Sequence, residues 1–220
     1  MVEISTSVLN IKKEEIIKKI YNLELAGTNY FHIDVMDGKF VENNTIDLML
    51  TYSEYIKQIS NIPLDVHLMV EDVKNFITSY SVLEPSVITF HLEACKNKEE
   101  VFKLIEYIKK CGSKVGISIK PNTNIDDIKE FLPYIHICLI MTVEPGKGGQ
   151  KLVPSTINKI DLLKKYINEN NLETFIEADG GINLNNIGSL KKAGVDIVVS
   201  GSTIINSEEP KSIILEMKKV

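Results

Sequence analysis

No apolar run in this sequence approaches the length of a membrane span, which argues against an integral helical membrane protein. A basic excess is also missing. The formal net charge is −5, whereas surfaces that neutralise nucleic-acid phosphates usually carry a surplus of Lys and Arg. A small anionic ligand is still compatible with that charge, because local backbone N–H groups can bind one whatever the global balance. Cysteine is scarce. Cys95, Cys111 and Cys138 are odd in number and form no C-x-x-C pair, which argues against a disulfide framework and for a reducing compartment. There is no Pro/Ser-rich linker or low-complexity segment, and no basic leader followed by an apolar stretch at the N-terminus. The expectation is a soluble, cytoplasmic protein of one domain over residues 1–220, with neither nucleic acid nor membrane as partner.

What is present is an alternation. Short β-branched apolar runs at Val2–Leu9, Tyr30–Val35, Leu64–Met69, Val87–His91, Lys114–Ile119, Ile137–Thr142, Thr174–Ala178 and Asp196–Ser200 read as strands. Between them lie helix-like segments that begin near Lys12, Thr45, Val73, Lys98, Ile125, Ser155, Asn185 and Glu208. In the first, Ile16, Ile17, Ile20 and Leu23 fall at helical spacing and Gly27 supplies a stop. Eight strand-then-helix units in 220 residues, with 44% hydrophobic content, predict an α/β fold, a (β/α)8 TIM barrel. A doubly wound open sheet has the same periodicity. The polar residues favour the barrel, because Ser7, His32, Asp34, His67, His91, Thr142, Asp179 and Ser202 lie toward the C-terminal ends of most strands, where barrels collect function. An open sheet would gather them at one switch point.

The most informative stretch is Tyr30 to Phe40. Strand alternation puts His32, Asp34 and Met36 on one face, and such a row costs desolvation unless it is paired or bound to something. In the following strand His67 and Met69 again put an imidazole and a thioether on one face. Two imidazoles with carboxylates form a common ligand set for Zn, Fe, Mn or Co, so His32 and His67 are read as metal ligands. By contrast His91 and His136 are read as hydrogen-bonded core residues, Asp37 as a turn residue before Gly38, and Asp65 as facing outward. Three glycine-bearing loops, Glu144 to Gln150, Asp179 to Gly181 and Ser200 to Ser202, follow the last three expected strands. Together they match the usual place where a barrel holds a phosphate.

Phe-His-Ile-Asp-Val-Met-Asp-Gly-Lys-Phe-Val, Asp-Val-His-Leu-Met-Val, Met-Thr-Val-Glu-Pro-Gly-x-Gly-Gly-Gln-Lys, Glu-Ala-Asp-Gly-Gly-Ile and Val-Ser-Gly-Ser occur in that order over nearly the whole chain. The chain thereby resembles the ribulose-phosphate 3-epimerase family. The resemblance implies one divalent metal ion per subunit held by His32, Asp34, His67 and Asp179, with Asp34 and Asp179 also the acid/base pair. It implies that Ser7 and His67 contact the sugar, and that Gly146, Lys147, Gly148, Gly149, Gly180, Gly181, Gly201 and Ser202 surround the phosphate end. Met36, Met69 and Met141 would cap the reacting carbons. A small ketose phosphate as substrate, a place in pentose phosphate metabolism and a homo-oligomeric state belong to the same expectation.

Three departures stand out. Lys147 replaces an aromatic residue, Glu42 replaces a proline, and Ser5-Thr6-Ser7 stands for Ala-Pro-Ser. None removes a proposed ligand, although all bear on the pocket. Three other readings share parts of the pattern: a 3-epimerase of a related ketose phosphate such as D-allulose 6-phosphate, a phosphate-binding barrel lyase, and a non-catalytic sugar-phosphate sensor. Asp179-Gly180-Gly181 favours the pentose substrate, Met36 occupies the position where the lyases need a lysine, and a sensor has no use for paired acids.

Overall fold

The computed structural model describes residues 1–219. Its eight strands are β1 (Glu3–Ser7), β2 (Tyr30–Met36), β3 (Leu64–Met69), β4 (Val87–His91), β5 (Lys114–Ile119), β6 (Ile137–Met141), β7 (Phe175–Asp179) and β8 (Ile197–Val199). They pair in parallel in chain order, and β8 closes against β1. The closed (β/α)8 barrel expected from the alternation is therefore the fold, with strand ends shifted by no more than two residues.

The helices are α1 (Ile16–Ala26), α2 (Ile46–Ile59), α3 (Val73–Ser81), α4 (Lys98–Lys110), α5 (Ser155–Glu169), α6 (Ile187–Ala193), the single turn α7 (Ser202–Ile205) and α8 (Pro210–Lys219). Each long helix buries one stripe against the strands; in α1 the stripe is Ile16, Ile20, Leu23 and Ala26. The helix expected from Ile125 is not formed. Two 3-10 turns, Ile125–Asp127 and Leu132–Tyr134, replace it. Asn124 caps the first by accepting a hydrogen bond from the Asp126 N–H at 3.0 Å. Pro133 lacks an N–H and disfavours α geometry at Leu132, so a continuous helix cannot propagate through it.

Inside the barrel the filling is uneven. Val87, Ile137, Leu139, Met141, Val143 and Ile197, drawn from β4, β6, β8 and the loop after β6, form an apolar cluster. Of the other strands, β1, β2, β3 and β7 contribute the buried polar residues Ser5, His32, Asp34, Asp65, His67 and Glu177, with Glu177 registered between Leu139 and Ile197. Barrels ordinarily fill this space with bulky branched side chains. Burying so many polar groups is costly unless they satisfy one another or a ligand, and that requirement locates the site.

Candidate metal centre and active site

Strand register sets the heights of the functional groups. Between β2 and β3, His32 lies beside Asp65, Asp34 beside His67 and Met36 beside Met69; between β6 and β7, Met141 lies beside Asp179. His32 Nε2 stands 3.5 Å from Asp34 Oδ1 and 3.9 Å from Asp179 Oδ2. His67 Nδ1 stands 3.8 Å and 3.6 Å from the same two oxygens. Both nitrogens are buried and have no hydrogen-bond partner.

Orphaned polar atoms of this kind call for an occupant. The four ligand atoms lie within 4.8 Å of one another, and the nitrogen–oxygen spacings approach the edge of about 3.4 Å expected when nitrogen and oxygen ligands sit tetrahedrally around a first-row ion. Two imidazoles and two carboxylates are a suitable donor set for such an ion. The residues fit a divalent metal.

Asp34, His32 and His67 are oriented from behind. Ser7 Oγ donates to Asp34 Oδ2 at 2.6 Å, and Thr45 Oγ1 donates to the Asp34 carbonyl at 2.6 Å. Burial of Asp34 favours its neutral form, yet the adjacent His32 and His67 outweigh it and hold this carboxyl well below the usual range. His32 Nδ1 meets Asp65 Oδ2 at 2.6 Å, and the same oxygen accepts from Ser5 Oγ at 2.8 Å. Asp65 therefore faces inward, a correction to the sequence expectation: β3 is regular from its first residue, so Asp65 keeps the parity of His67. Burial works against protonating His32, but Asp65 and Asp34 prevail and raise its pKa well above 6.5.

Beside Asp65 lies Glu177, fully buried, with neither carboxyl oxygen bonded. Burial first, then the charge of Asp65, raise its pKa well above 4.5, so the folded protein keeps a proton that the unfolded chain releases. The stability contributed by the neutral carboxyl is complete below pH 4.5 and is lost as pH rises toward the folded pKa. In metal-free protein, urea unfolding from pH 5 to 6.5 is expected to carry a downward contribution of up to about 1.4 kcal/mol per pH unit from this group, opposed over the same range by His91, whose folded value of about 4 lies below its unfolded one, so the contribution is read as the difference between parent and variant. Glu177→Gln should remove it; parallel pH dependences for variant and parent would refute the assignment.

The other imidazoles separate. His91 is buried, its Nε2 3.0 Å from Nε2 of His67 and its Nδ1 3.1 Å from Glu93 Oε2. Burial pushes His91 down to about 4. Glu93 is held at about 2; its burial acts in the opposite direction, and the hydrogen bond with His91 leads the groups that overcome it. His136, expected in the core, is instead half-buried at the N-terminal end of β6 with its ring edge-on to Phe175 at 5.0 Å.

Above the ligand cluster opens a cavity of about 670 Å³. Asp34, Asp179, Met36, Met69 and Met141 line one part of it. Ser7, Gly146, Lys147, Gly148, Gly149, Gly180, Gly181, Gly201 and Ser202 also line it, so all three glycine loops meet there. His32 and His67 lie beneath the surface. His67, expected to contact the sugar, is not among the residues that line the cavity. Lys147 Nζ pairs with Glu42 Oε2 at 3.2 Å, and Asn43 Nδ2 donates to the Gly146 carbonyl at 2.6 Å, so the β2 and β6 loops are joined across the rim. Asp37 is the turn residue it was expected to be, accepting from Lys39 N at 2.8 Å and Phe40 N at 2.9 Å.

Sequence reasoning missed Asp65, Glu177 and Glu93. The signal for the first two was parity: each stands two residues before a proposed ligand on its strand. Glu93 lay beyond such a rule, since it follows the end of β4.

Comparison with known proteins gives concordant results. The sequence model of the Ribulose-phosphate 3 epimerase family matches residues 3–205. A ribulose-phosphate 3-epimerase of Methanocaldococcus jannaschii is 36% identical over 219 residues, covering 100% of this chain and 91% of that protein. One of Helicobacter pylori is 36% identical over 218 residues, covering 99% and 97%. Among solved structures, KGPDC from Streptococcus mutans superposes with a TM-score of 0.73 at 9% identity, covering 99% of this chain and 96% of that one. A 3-hexulose-6-phosphate synthase does so with a TM-score of 0.71 at 10% identity, covering 99% and 98%. At those identities the likeness concerns the fold alone.

Proposed function

The chain belongs to the ribulose-phosphate 3-epimerase family of carbohydrate epimerases, and from that premise we propose that it interconverts D-ribulose 5-phosphate and D-xylulose 5-phosphate with the help of a divalent metal. One observation carries the reading: the orphaned nitrogens of His32 and His67 converge with the carboxylates of Asp34 and Asp179 beside a cavity that glycine backbone lines elsewhere. Epimerisation beside a ketone removes a weakly acidic proton from C3 and returns one to the opposite face of a planar enediolate. Two acids are needed, one per face. Asp34 and Asp179 come from β2 and β7 and both reach the cavity. Asp34, ionised and held by Ser7, is ready to accept a proton; Asp179 serves the other face. Positioned acid/base groups typically contribute about 10² to 10⁴ in rate.

His32, Asp34, His67 and Asp179 would hold the ion, which when bound supplies Lewis-acid stabilisation of the developing oxyanion charge, worth several kcal/mol. Met36, Met69 and Met141, apolar and polarisable, exclude water from the reacting carbons. Backbone N–H groups of the Gly146 to Gly149, Gly180 to Gly181 and Gly201 to Ser202 segments receive the phosphate.

Deuterium wash-in at C3 tests this reading. Protein incubated with D-ribulose 5-phosphate in D2O should form labelled D-xylulose 5-phosphate, and chelation should abolish the exchange. Faster exchange with D-allulose 6-phosphate run in parallel would keep the chemistry and change the substrate. No exchange with either sugar would reduce the protein to a sugar-phosphate-binding barrel.

A further inference from the structure

The two histidines of the cluster are oriented by different devices. His32 is held in one step, by Asp65 on its Nδ1. His67 has no carboxylate on its outer nitrogen. Its Nε2 faces Nε2 of His91 at 3.0 Å, with the two ring planes 26° apart. Neutral imidazole nitrogens at that distance share one hydrogen, so one is an N–H and the other a lone pair. The pair by itself does not choose between them.

The choice is made one residue further out. Glu93 Oε2 lies 3.1 Å from His91 Nδ1, and an ionised carboxylate can only accept. His91, fully buried and neutral, must therefore carry its hydrogen on Nδ1 and offer the Nε2 lone pair. His67 must then donate from Nε2, which leaves its Nδ1 lone pair facing Asp34 and Asp179. Glu93 is itself fixed: its other oxygen accepts from Lys120 N at 2.8 Å and from the Thr123 hydroxyl.

We propose that Glu93, acting through His91, is a positioning residue that presets His67 in the tautomer whose Nδ1 can bind a divalent cation. The proposal rests on the reading of His67 as a metal ligand. Second-shell partners of this kind typically change metal affinity by about 10- to 100-fold. Glu93→Gln reverses the chain in a defined way. The glutamine carbonyl still accepts from Lys120 and Thr123, so its NH2 group faces His91 Nδ1. His91 then donates from Nε2, and His67 carries its hydrogen on Nδ1, pointing into the cluster.

The test uses the full chain. Long-range ¹H–¹⁵N NMR of metal-free protein, at a pH where the nitrogen shifts themselves show His67 neutral, should show His67 protonated at Nε2 in the parent and at Nδ1 in Glu93→Gln. Competition for Zn²⁺ against a chromophoric chelator should show affinity falling by about 10- to 100-fold in Glu93→Gln. Thr123→Val, which removes a bond to Glu93 but leaves the carboxylate on His91, should keep the parent tautomer, a pattern that loss of general packing would not produce. A parent His67 protonated at Nδ1 would overturn the proposal without any variant. Equal Zn²⁺ affinity in parent and Glu93→Gln would overturn it while leaving the metal reading intact; a parent that binds no Zn²⁺ would overturn the metal reading, and this proposal with it.

Discussion

Asp179→Asn is expected to lower the rate of epimerisation by about 10²- to 10⁴-fold while the barrel remains folded. The substitution keeps the shape of the side chain and removes its capacity to exchange a proton. Asp179 is the more open of the two acids, with 14% side-chain exposure against 8% for Asp34. The bonds at its position are made by its main chain, whose carbonyl accepts from Thr142 N at 2.7 Å and Thr142 Oγ1 at 2.9 Å. An asparagine preserves both. Asp34→Asn is less clean, because both acids face His32 and His67 but only Asp34 also accepts a hydrogen bond from Ser7.

The diagnostic result is asymmetric. Asp179 is also a proposed metal ligand, so the variant is assayed with saturating divalent metal; Asp34 can then still exchange the proton on its own face, and one epimer should take up solvent deuterium without being converted while the other does neither. Both sugars are incubated separately in D2O and followed by NMR and mass spectrometry. Conversion within ten-fold of the parent would remove Asp179 from the reaction.

Gly181→Ala should be the most damaging single methyl addition in the phosphate loops. Gly181 has φ of 66°, and a Cβ there would lie 2.5 Å from Leu152 N and 2.6 Å from the Gln150 carbonyl, both main-chain atoms that cannot swing aside. Left-handed geometry costs a non-glycine residue about 1–2 kcal/mol, and overpacking adds about 1–3 kcal/mol. Together these correspond to a fall in Tm of roughly 4 to 20 °C for a chain of this size. KM should rise as well, since the displaced β6 loop forms part of the cavity. Gly149→Ala provides the comparison, because Gly149 has φ of 75° but nothing within 4 Å of the added carbon. It carries the conformational cost alone. Thermal unfolding of the two variants side by side measures the clash, and equal Tm values would show that the β6 and β7 loops are not packed as tightly as the geometry requires.

Much of this architecture could be read before the chain was folded, but unevenly. Strand positions were legible because burial on both faces demands continuous β-branched runs. The row His32, Asp34, Met36 was legible because side-chain alternation is a local property of extended backbone. The 3-10 turns near Ile125 were not: Ile125, Ile128 and Leu132 look helical in spacing, and Pro133 decides otherwise. Lys147 was also opaque. A lysine among phosphate-loop glycines suggests an anion, but folding brings Glu42 within 3.2 Å of it.

The sequence by itself determined the fold class, the family and the identity of the groups that converge on the cavity, since each follows from local periodicity or from motifs contiguous in the chain. Tertiary structure alone decided how those groups address one another. Ser5 reaches Asp65 across 60 residues, His32 reaches Asp65 across 33 and His67 reaches His91 across 24. Those bonds choose which nitrogen of each imidazole faces the carboxylates, and they depend on strand register and closure. Register is set by pairing between distant segments, and no local pattern encodes it.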